Sequence, residues 1–341
     1  MRDALLFLTV AAATVYAQDF TKARRAVVHV EAVDRALLLC QQLKERNAPV
    51  AEMRRVRIHQ PYVLVVSGIA ISANGEILTP ALHPRADLRL TVTFRDGEET
   101  EAKIIGTDPL SNLALIQAPV RNKPYLSLSE VAPRKDDLVG IVGHDALRQP
   151  LAVHGVVGLD RFPVSIQDLY GVTREKRILL ASAFAVKPDA GRPDMGSACV
   201  DQAGRLIGVL VGDIPRINIH AVLPGARIAR IVRDLRRHRR VIRADFGCKL
   251  TTVSAVVKEQ FQLPAGACTI AWLHPRGPAA KAGLARYDIV TRLDGRAYPD
   301  PHLLGEAMSD VAPDKPVALE ILRAGRKLTL QVTPIPLELD D

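Results

Sequence analysis

Residues Asp194 to Val209, DMGSACVDQAGRLIGV, decide the fold. Asp201-Gln202-Ala203-Gly204 reads as a turn that opens a buried strand, Leu206-Ile207-Gly208-Val209. Glycine supplies the backbone freedom such a turn needs, and a short apolar run after it fits a sandwich or barrel core. Ala198 to Val200 is a second short strand on the other side of the turn. Working outward, the pattern repeats. Strands are expected at 25–31, 62–72, 76–79, 90–94, 101–105, 138–143, 152–159, 178–184 and 206–211. Asn74-Gly75 and Arg95-Asp96-Gly97 are hairpin turns between them. Residues 33–45 carry helical spacing and stop at Asn47-Ala48-Pro49. Many short strands separated by Gly, Pro and Asp turns indicate a mainly β protein, a barrel or a sandwich.

The chain has 341 residues, 48% hydrophobic, enough for two or three domains. Only 4% is aromatic, so aliphatic side chains must fill the cores. Ala4 to Ala17 is apolar and ends at Val15-Tyr16-Ala17. A bilayer needs roughly 20 such residues, so this run suits a signal peptide over residues 1–17. A buried N-terminal helix is the alternative. The first reading implies export to a periplasm or to the outside. The four cysteines, Cys40, Cys199, Cys248 and Cys268, allow three pairings. Cys199 reads as a small core residue, and a Cys248–Cys268 bridge is one option for the other pair. No spacing suggests a metal, and no cofactor or small-molecule substrate is expected.

The Asp194 stretch resembles the active-site segment of the HtrA/Deg family of trypsin-like serine proteases. There, GNSGGPLV runs into a glycine turn and a strand of the type VIGV. VSGIAISANGEILTPALHP, residues 66–84, is similar to the family's strand, turn and ILTNNHV. GTDPLSNLALIQ, residues 106–117, is similar to its GTD-DLALL segment. The resemblance implies a trypsin-like double β-barrel over residues 25–224, with an inserted helical segment at 34–60.

It also places the catalytic His, Asp and Ser at Leu82, Asn112 and Met195. A thioether has no proton to lose and cannot be an acyl-transfer nucleophile. Asn in place of the triad Asp costs about 10⁴ in turnover. This predicts a degenerate triad and a protein that is not an enzyme. The alternative is an active serine endopeptidase rebuilt on Ser197 and His83, which stand two residues and one residue beyond the motif positions.

ARIARIVRDLRRHRRVIR, residues 226–243, has one apolar stripe, eight Arg and one Asp, against a formal charge of +9 for the whole chain. The basic character is therefore local. One reading is a solvated linker helix over 225–243. The other is a polyanion site using Arg227, Arg230 and Arg237, for an acidic surface or polymer.

Residues 244–334 change to a small α+β pattern. GPAAKAGL at 277–284 and DIVTRLDG at 288–295 resemble the PDZ signature of the same family, with Tyr287 where that family has Gly. A PDZ domain adds an extended peptide to a sheet edge and receives a terminal carboxylate on a Φ-Gly-Φ loop. Phe246-Gly247-Cys248 fits that loop, and Gly247→Val is expected to weaken binding without unfolding the domain. Residues 335–341 form an acidic tail, expected to be disordered. The expected partners are C-terminal or extended segments of exported polypeptides. The resemblance implies a homo-oligomer, a trimer, and a role as scaffold, chaperone or regulator in protein quality control.

Overall fold

The computed structural model describes residues 20–46, 63–80, 88–145, 147–164, 181–214 and 217–338. The signal-peptide reading, the whole of segment 47–60, Leu82, His83 and residues 178–180 of the expected 178–184 strand lie outside those residues. The chain forms two compact units; the first ends at Arg240, and the second, from Val241 on, also takes in Pro163, Val164, Ala181 and Ser182 from earlier in the sequence.

The first unit contains two closed six-stranded barrels. One has the order β1-β2-β3-β6-β5-β4. Its strands are β1 (Val27–Asp34), β2 (Val63–Ala70), β3 (Glu76–Thr79), β4 (Leu88–Thr93), β5 (Glu99–Asp108) and β6 (Leu113–Gln117). Alternation aims Val28, Val30, Val66, Ile77, Leu90, Val92 and Ile116 inward, and all are buried. Helix α1 (Arg35–Glu45) follows β1 directly. The second barrel has the order β10-β11-β12-β9-β8-β7. It uses β7 (Leu138–His144), β8 (Pro150–Leu159), β9 (Phe184–Pro188), β10 (Ala198–Val200), β11 (Leu206–Ile214) and β12 (Ile219–Pro224). The strand expected at 178–184 begins only where that range ends. The core is Val139, Ile141, Val157, Phe184, Val186, Cys199, Ile207, Leu210 and Val222. An almost wholly aliphatic interior follows from the composition.

Helix α2 (Gly225–His238) buries Ile228, Ile231, Val232 and Leu235 and packs against β5. Arg236 grips Glu76 with two parallel bonds of 2.8 and 2.7 Å. Arg239 closes the helix at φ 64° and donates to the Ile105 carbonyl at 3.1 Å. The approach is close: a Cβ on Gly106 would lie 2.5 Å from the Arg239 oxygen. Arg227 is buried, Arg230 half-buried and Arg237 exposed. The expectation that these three arginines share one open face is therefore corrected for Arg227, which sits on the packed side beside Ile228 and Ile231.

The second unit holds a five-stranded sheet in the order β14-β15-β16-β17-β18. These are β14 (Cys248–Thr252), β15 (Cys268–Leu273), β16 (Ile289–Leu293), β17 (Val317–Arg323) and β18 (Arg326–Val332). Short helices α3 (Ala255–Gln260), α4 (Pro278–Lys281) and α5 (Pro301–Asp310) complete it. A small ribbon pairs β13 (Ala244–Asp245) with β19 (Ile335–Pro336). The first residues of the acidic tail thus belong to the fold, contrary to the expected disorder. Buried Asp288 is held by Arg323 through two 2.7 Å bonds. The turn before it survives the loss of glycine, because Tyr287 itself takes φ 73°.

The Cys248–Cys268 bridge does not form; Cys199, Cys248 and Cys268 are all free thiols. Antiparallel register explains this. Cys248 faces Leu273, and Cys268 faces Thr252, at opposite ends of the hairpin. Four residues of strand separate them by about 13 Å, beyond the reach of a disulfide, which needs Cα atoms within about 7 Å.

Candidate functional site

The Asp194 segment makes a tight loop between β9 and β10. It is pinned by backbone bonds: Asp194 N–H to the His144 carbonyl at 2.9 Å, Ser197 N–H to Asp194 at 3.2 Å, and Gly196 N–H to Leu210 at 2.9 Å. Gly196 has φ 82°, and a Cβ there would meet the Ser67 carbonyl oxygen at 2.1 Å. Only glycine fits such an approach.

Asn112 comes from the turn between β5 and β6 and takes φ 51°. Its Nδ2 donates to the Val211 carbonyl at 2.9 Å and lies 3.5 Å from the Met195 sulfur. Two residues located by separate motifs are thus brought together, and both are half-buried. Asp108 is buried and accepts a short hydrogen bond from the Ser111 hydroxyl, as a turn residue does. Asp194 is half-buried; burial, with Asp145 nearby, raises its carboxyl above the usual range.

Ser197 is fully buried. Its hydroxyl has no hydrogen-bond partner among the described residues. It lies against Gly143, where a Cβ would approach Ser197 Oγ to 1.9 Å. One feature was missed in the sequence although it is visible there. An oxyanion hole of this class uses the N–H groups of the nucleophile and of the residue two before it. For position 195 that residue is Pro193, which has no N–H. For Ser197 the same two positions are Met195 and Ser197 itself, and both have one.

Beside this loop, Ser67 on β2 joins His144 at the end of β7. Ser67 Oγ accepts from the His144 backbone N–H at 2.9 Å and lies 3.1 Å from its Nδ1. The rings of His29 and His144 meet edge to face at 5.3 Å. Burial, then the charges of His29 and Arg95, lower the His144 pKa to about 4. Burial and Arg148 lower that of His29. A cavity of about 190 Å³ opens here, lined by His29, Phe94, Arg95, Gly143, His144 and Leu151.

In the second unit, Phe246 is buried in the core, whereas Gly247 and Cys248 are half-buried. Gly247 has φ 67°, and a Cβ there would lie 3.0 Å from Gly277 Cα. The Phe246 and Gly247 carbonyls accept from Ala279 and His274 at 2.9 and 2.8 Å, and Gly247 N–H donates to Asp245 Oδ1 at 2.7 Å. Gly247 is therefore a packing residue as well as a loop residue, so Gly247→Val strains the domain itself, contrary to the sequence expectation. Burial, with Asp245 nearby, raises the Cys248 thiol to about 12. β14 is the edge of its sheet and α5 packs nearby. Among the described residues no cluster of three or more His, Cys, Asp or Glu could hold a metal, and no helix is long and apolar enough to cross a membrane.

Residues 66–209 match the trypsin-like peptidase domain family, and residues 246–333 match the PDZ domain family. A probable periplasmic serine endoprotease DegP-like of Brucella suis is 26% identical over 283 residues, covering 81% of this chain and 53% of its own. The periplasmic pH-dependent serine endoprotease DegQ of Escherichia coli is 26% identical over 287 residues, covering 80% of this chain and 60% of its own. The chain thus spans little more than half the length of these relatives. The solved structure of the HtrA-type protease AlgW with a decapeptide superposes with a TM-score of 0.69 at 21% identity, covering 95% of this chain and 99% of that one. The expectation of a protein that is not an enzyme is corrected by these relatives, which are named serine endoproteases. By its two domains, their order and these relatives, the chain belongs to the HtrA/Deg family.

Proposed function

We propose that the chain is an exported, periplasmic serine endopeptidase of the HtrA/Deg type that cleaves polypeptides with Ser197 as its nucleophile. The names of the relatives support the reaction class. The observation that carries the choice of residue is the buried hydroxyl of Ser197 with no hydrogen-bond partner among the described residues, in the loop where this family keeps its serine. Leaving a buried hydroxyl unpaired costs about 1–3 kcal/mol, and such groups call for a reason. Met195 cannot attack a carbonyl, and Pro193 removes one oxyanion donor for that position. Moving the nucleophile to Ser197 moves the donors to two residues that possess an N–H, although in the resting loop the Ser197 N–H is bonded to the Asp194 carbonyl and must be released. His83 is the base in this reading. Ser197 Oγ attacks the scissile carbonyl, its proton passes to His83, and His83 returns it to the leaving amine; water then releases the acyl group. The hydroxyl is shut against Gly143. Substrate must therefore open the 194–197 loop before attack, which makes the resting enzyme slow.

The test is a fluorophosphonate probe on the full chain with and without an unfolded casein substrate. Labelling that vanishes in Ser197→Ala and in His83→Ala supports the reading. Casein cleavage that survives Ser197→Ala, or the absence of both labelling and cleavage in folded protein, overturns it.

A second reading concerns the PDZ domain and rests on its own observation, the position of β14 at the edge of its sheet among the described strands. We infer that an extended polypeptide segment adds to that edge between β14 and α5, so that the domain delivers substrate. Loss of binding of casein-derived peptides when Leu250, on β14, is replaced by Pro would support it, because Pro removes an edge donor. The family resemblance further implies a homotrimer, which sedimentation velocity of the full chain would show or exclude.

A further inference from the structure

The Φ-Gly-Φ loop of a PDZ domain receives the carboxylate of a peptide's last residue on its backbone N–H groups. In this chain a carboxylate is already there. Asp245 Oδ1 accepts the Gly247 N–H at 2.7 Å. Asp245 does not reach the loop by chance of rotamer. Its backbone is held in the β13–β19 ribbon opposite Ile335, and its side chain is short. The neighbouring carbonyls are also spent: Phe246 binds Ala279 N–H and Gly247 binds His274 N–H. The loop therefore has little freedom to rotate and release its amide. The charge of Asp245 is felt three residues on, at the far end of the loop, where it adds to burial in raising the Cys248 thiol.

We propose that Asp245 acts as a resident carboxylate that sets the specificity of the PDZ groove, so that this domain captures internal extended segments of polypeptides in preference to free C-termini. This rests on the reading that β14 captures peptide. A peptide ending in COO⁻ meets a fixed negative charge and an occupied donor at the loop, so its own charge is left partly desolvated and unpaired. A segment that continues past the loop brings only a neutral amide there. Its affinity comes from the ladder of main-chain bonds along β14 and from side chains against Leu250 and α5. The substrate class that follows is loops and unfolded stretches exposed inside a damaged chain rather than processed ends.

The experiment uses the full chain and three forms of one random decapeptide pool labelled with fluorescein: free acid, C-terminal amide, and the same pool extended by Gly-Ser-Gly-Ser-amide. Fluorescence polarisation reads binding to the native protein and to Asp245→Asn, which keeps the short side chain and removes its charge. The expected result is that the native protein binds amide and extended pools at least threefold more tightly than the acid pool. Asp245→Asn should tighten the acid pool by threefold to tenfold and leave the other two unchanged. A native protein that prefers the free acid, or an acid-to-amide ratio that does not move in Asp245→Asn, overturns the proposal while leaving peptide capture intact. Failure of all three pools to bind either protein overturns peptide capture itself, and this proposal with it.

Discussion

The Asp194–Ser197 loop of the second barrel and the Phe246-Gly247-Cys248 loop of the PDZ domain are built on the same device. Each turns on a glycine at positive φ, 82° at Gly196 and 67° at Gly247. Each places that glycine against another segment, with no room for a side chain at Gly196 and little at Gly247. They differ in what the turn is for. In the barrel it presents a side chain, and function hangs on which side chain that is. In the PDZ domain it presents backbone N–H groups, which every residue but proline has. A side-chain site is changed by single letters, and Met195, Asn112 and Pro193 stand at the places the family's motifs mark in this sequence. A backbone site tolerates such letters and is altered instead by what competes for its donors, as Asp245 does.

The two glycines give the largest expected effect and a direct way to break that comparison. A Cβ on Gly196 would sit 2.1 Å from the Ser67 carbonyl oxygen and 2.6 Å from Pro80 Cδ. A Cβ on Gly247 would sit 3.0 Å from Gly277 Cα and 3.2 Å from Pro278 Cδ. Backbone oxygen cannot yield as a neighbouring glycine can. Gly196→Val should cost about 4 kcal/mol and Gly247→Val about 2 kcal/mol, read by urea unfolding of each variant. Equal costs would mean that the two loops are not distinguished by how tightly they are braced.

Asn112→Asp is the next in size. It restores the family's carboxylate, but into a place that wants a donor. Asn112 Nδ2 donates to the Val211 carbonyl at 2.9 Å. A carboxylate there faces an oxygen, and the lost bond and unpaired charge should cost about 2–3 kcal/mol at pH 7.5. The new carboxyl is favoured in its neutral form, so its folded pKa lies above its unfolded one. The penalty is then present above that raised value and fades as pH falls. Urea midpoints of Asn112→Asp should move toward those of the native protein between pH 7.5 and 4.5, while Asn112→Leu keeps a constant deficit. A pH-independent deficit in Asn112→Asp would show that the amide proton does not matter there.

Much of the fold was legible because its signals are local. Strand alternation, the Asn74-Gly75 turn and the GPAAKAGL segment each lie within a few residues of one another. The Asn112–Met195 approach was also legible, since each position carries its own motif. What failed was anything set by long-range geometry. Arg227 reads as one more cation on a basic helix, yet the helix turns it toward the barrel. Cys248 and Cys268 read as a pair on neighbouring strands, yet hairpin register sends them to opposite ends. The contact of Asp245 with Gly247 spans only two residues and was open to sequence reasoning, because Asp favours such turns. Enzymatic status was read from three letters alone, and the relatives correct it.

His144 supplies a smaller effect that belongs to the barrel side of the comparison. Its folded pKa of about 4 lies below the ordinary value of 6.5. Between those values the unfolded chain binds the proton more readily than the folded one. Stability should therefore be full above about pH 6.5 and fall as pH drops toward 4. The ring is partly exposed and solvent screens it, so the loss should be on the order of 1–2 kcal/mol. His29 adds to the loss in the same direction. In His144→Asn the slope between pH 6.5 and 4 should flatten in urea titrations. An unchanged slope would shift the acid sensitivity to other groups.

The smallest effect tests the backbone side of the comparison at Tyr287. This residue holds φ 73°, a region that costs a side chain with a Cβ about 1 kcal/mol, and it is mostly exposed. The fold keeps the turn because Tyr287 N–H donates to the Ile270 carbonyl at 2.9 Å and Asp288 behind it is locked by Arg323. Replacing Tyr287 directly by Gly mixes two changes, since the ring also stacks under Arg286 at 4.8 Å. An exposed cation–π contact contributes about 0.5–1 kcal/mol and would mask the relief of strain. Tyr287→Ala removes the ring and keeps the strain; Tyr287→Gly removes both. The difference between the two variants therefore isolates the backbone. Glycine's greater freedom in the unfolded chain opposes the gain, so Tyr287→Gly should exceed Tyr287→Ala by only about 0.5 kcal/mol, seen as a rise in Tm of the PDZ transition. If Ala proves the more stable, the turn tolerates a Cβ at φ 73° without strain, and Tyr287 departs from the family's glycine at no cost to the fold.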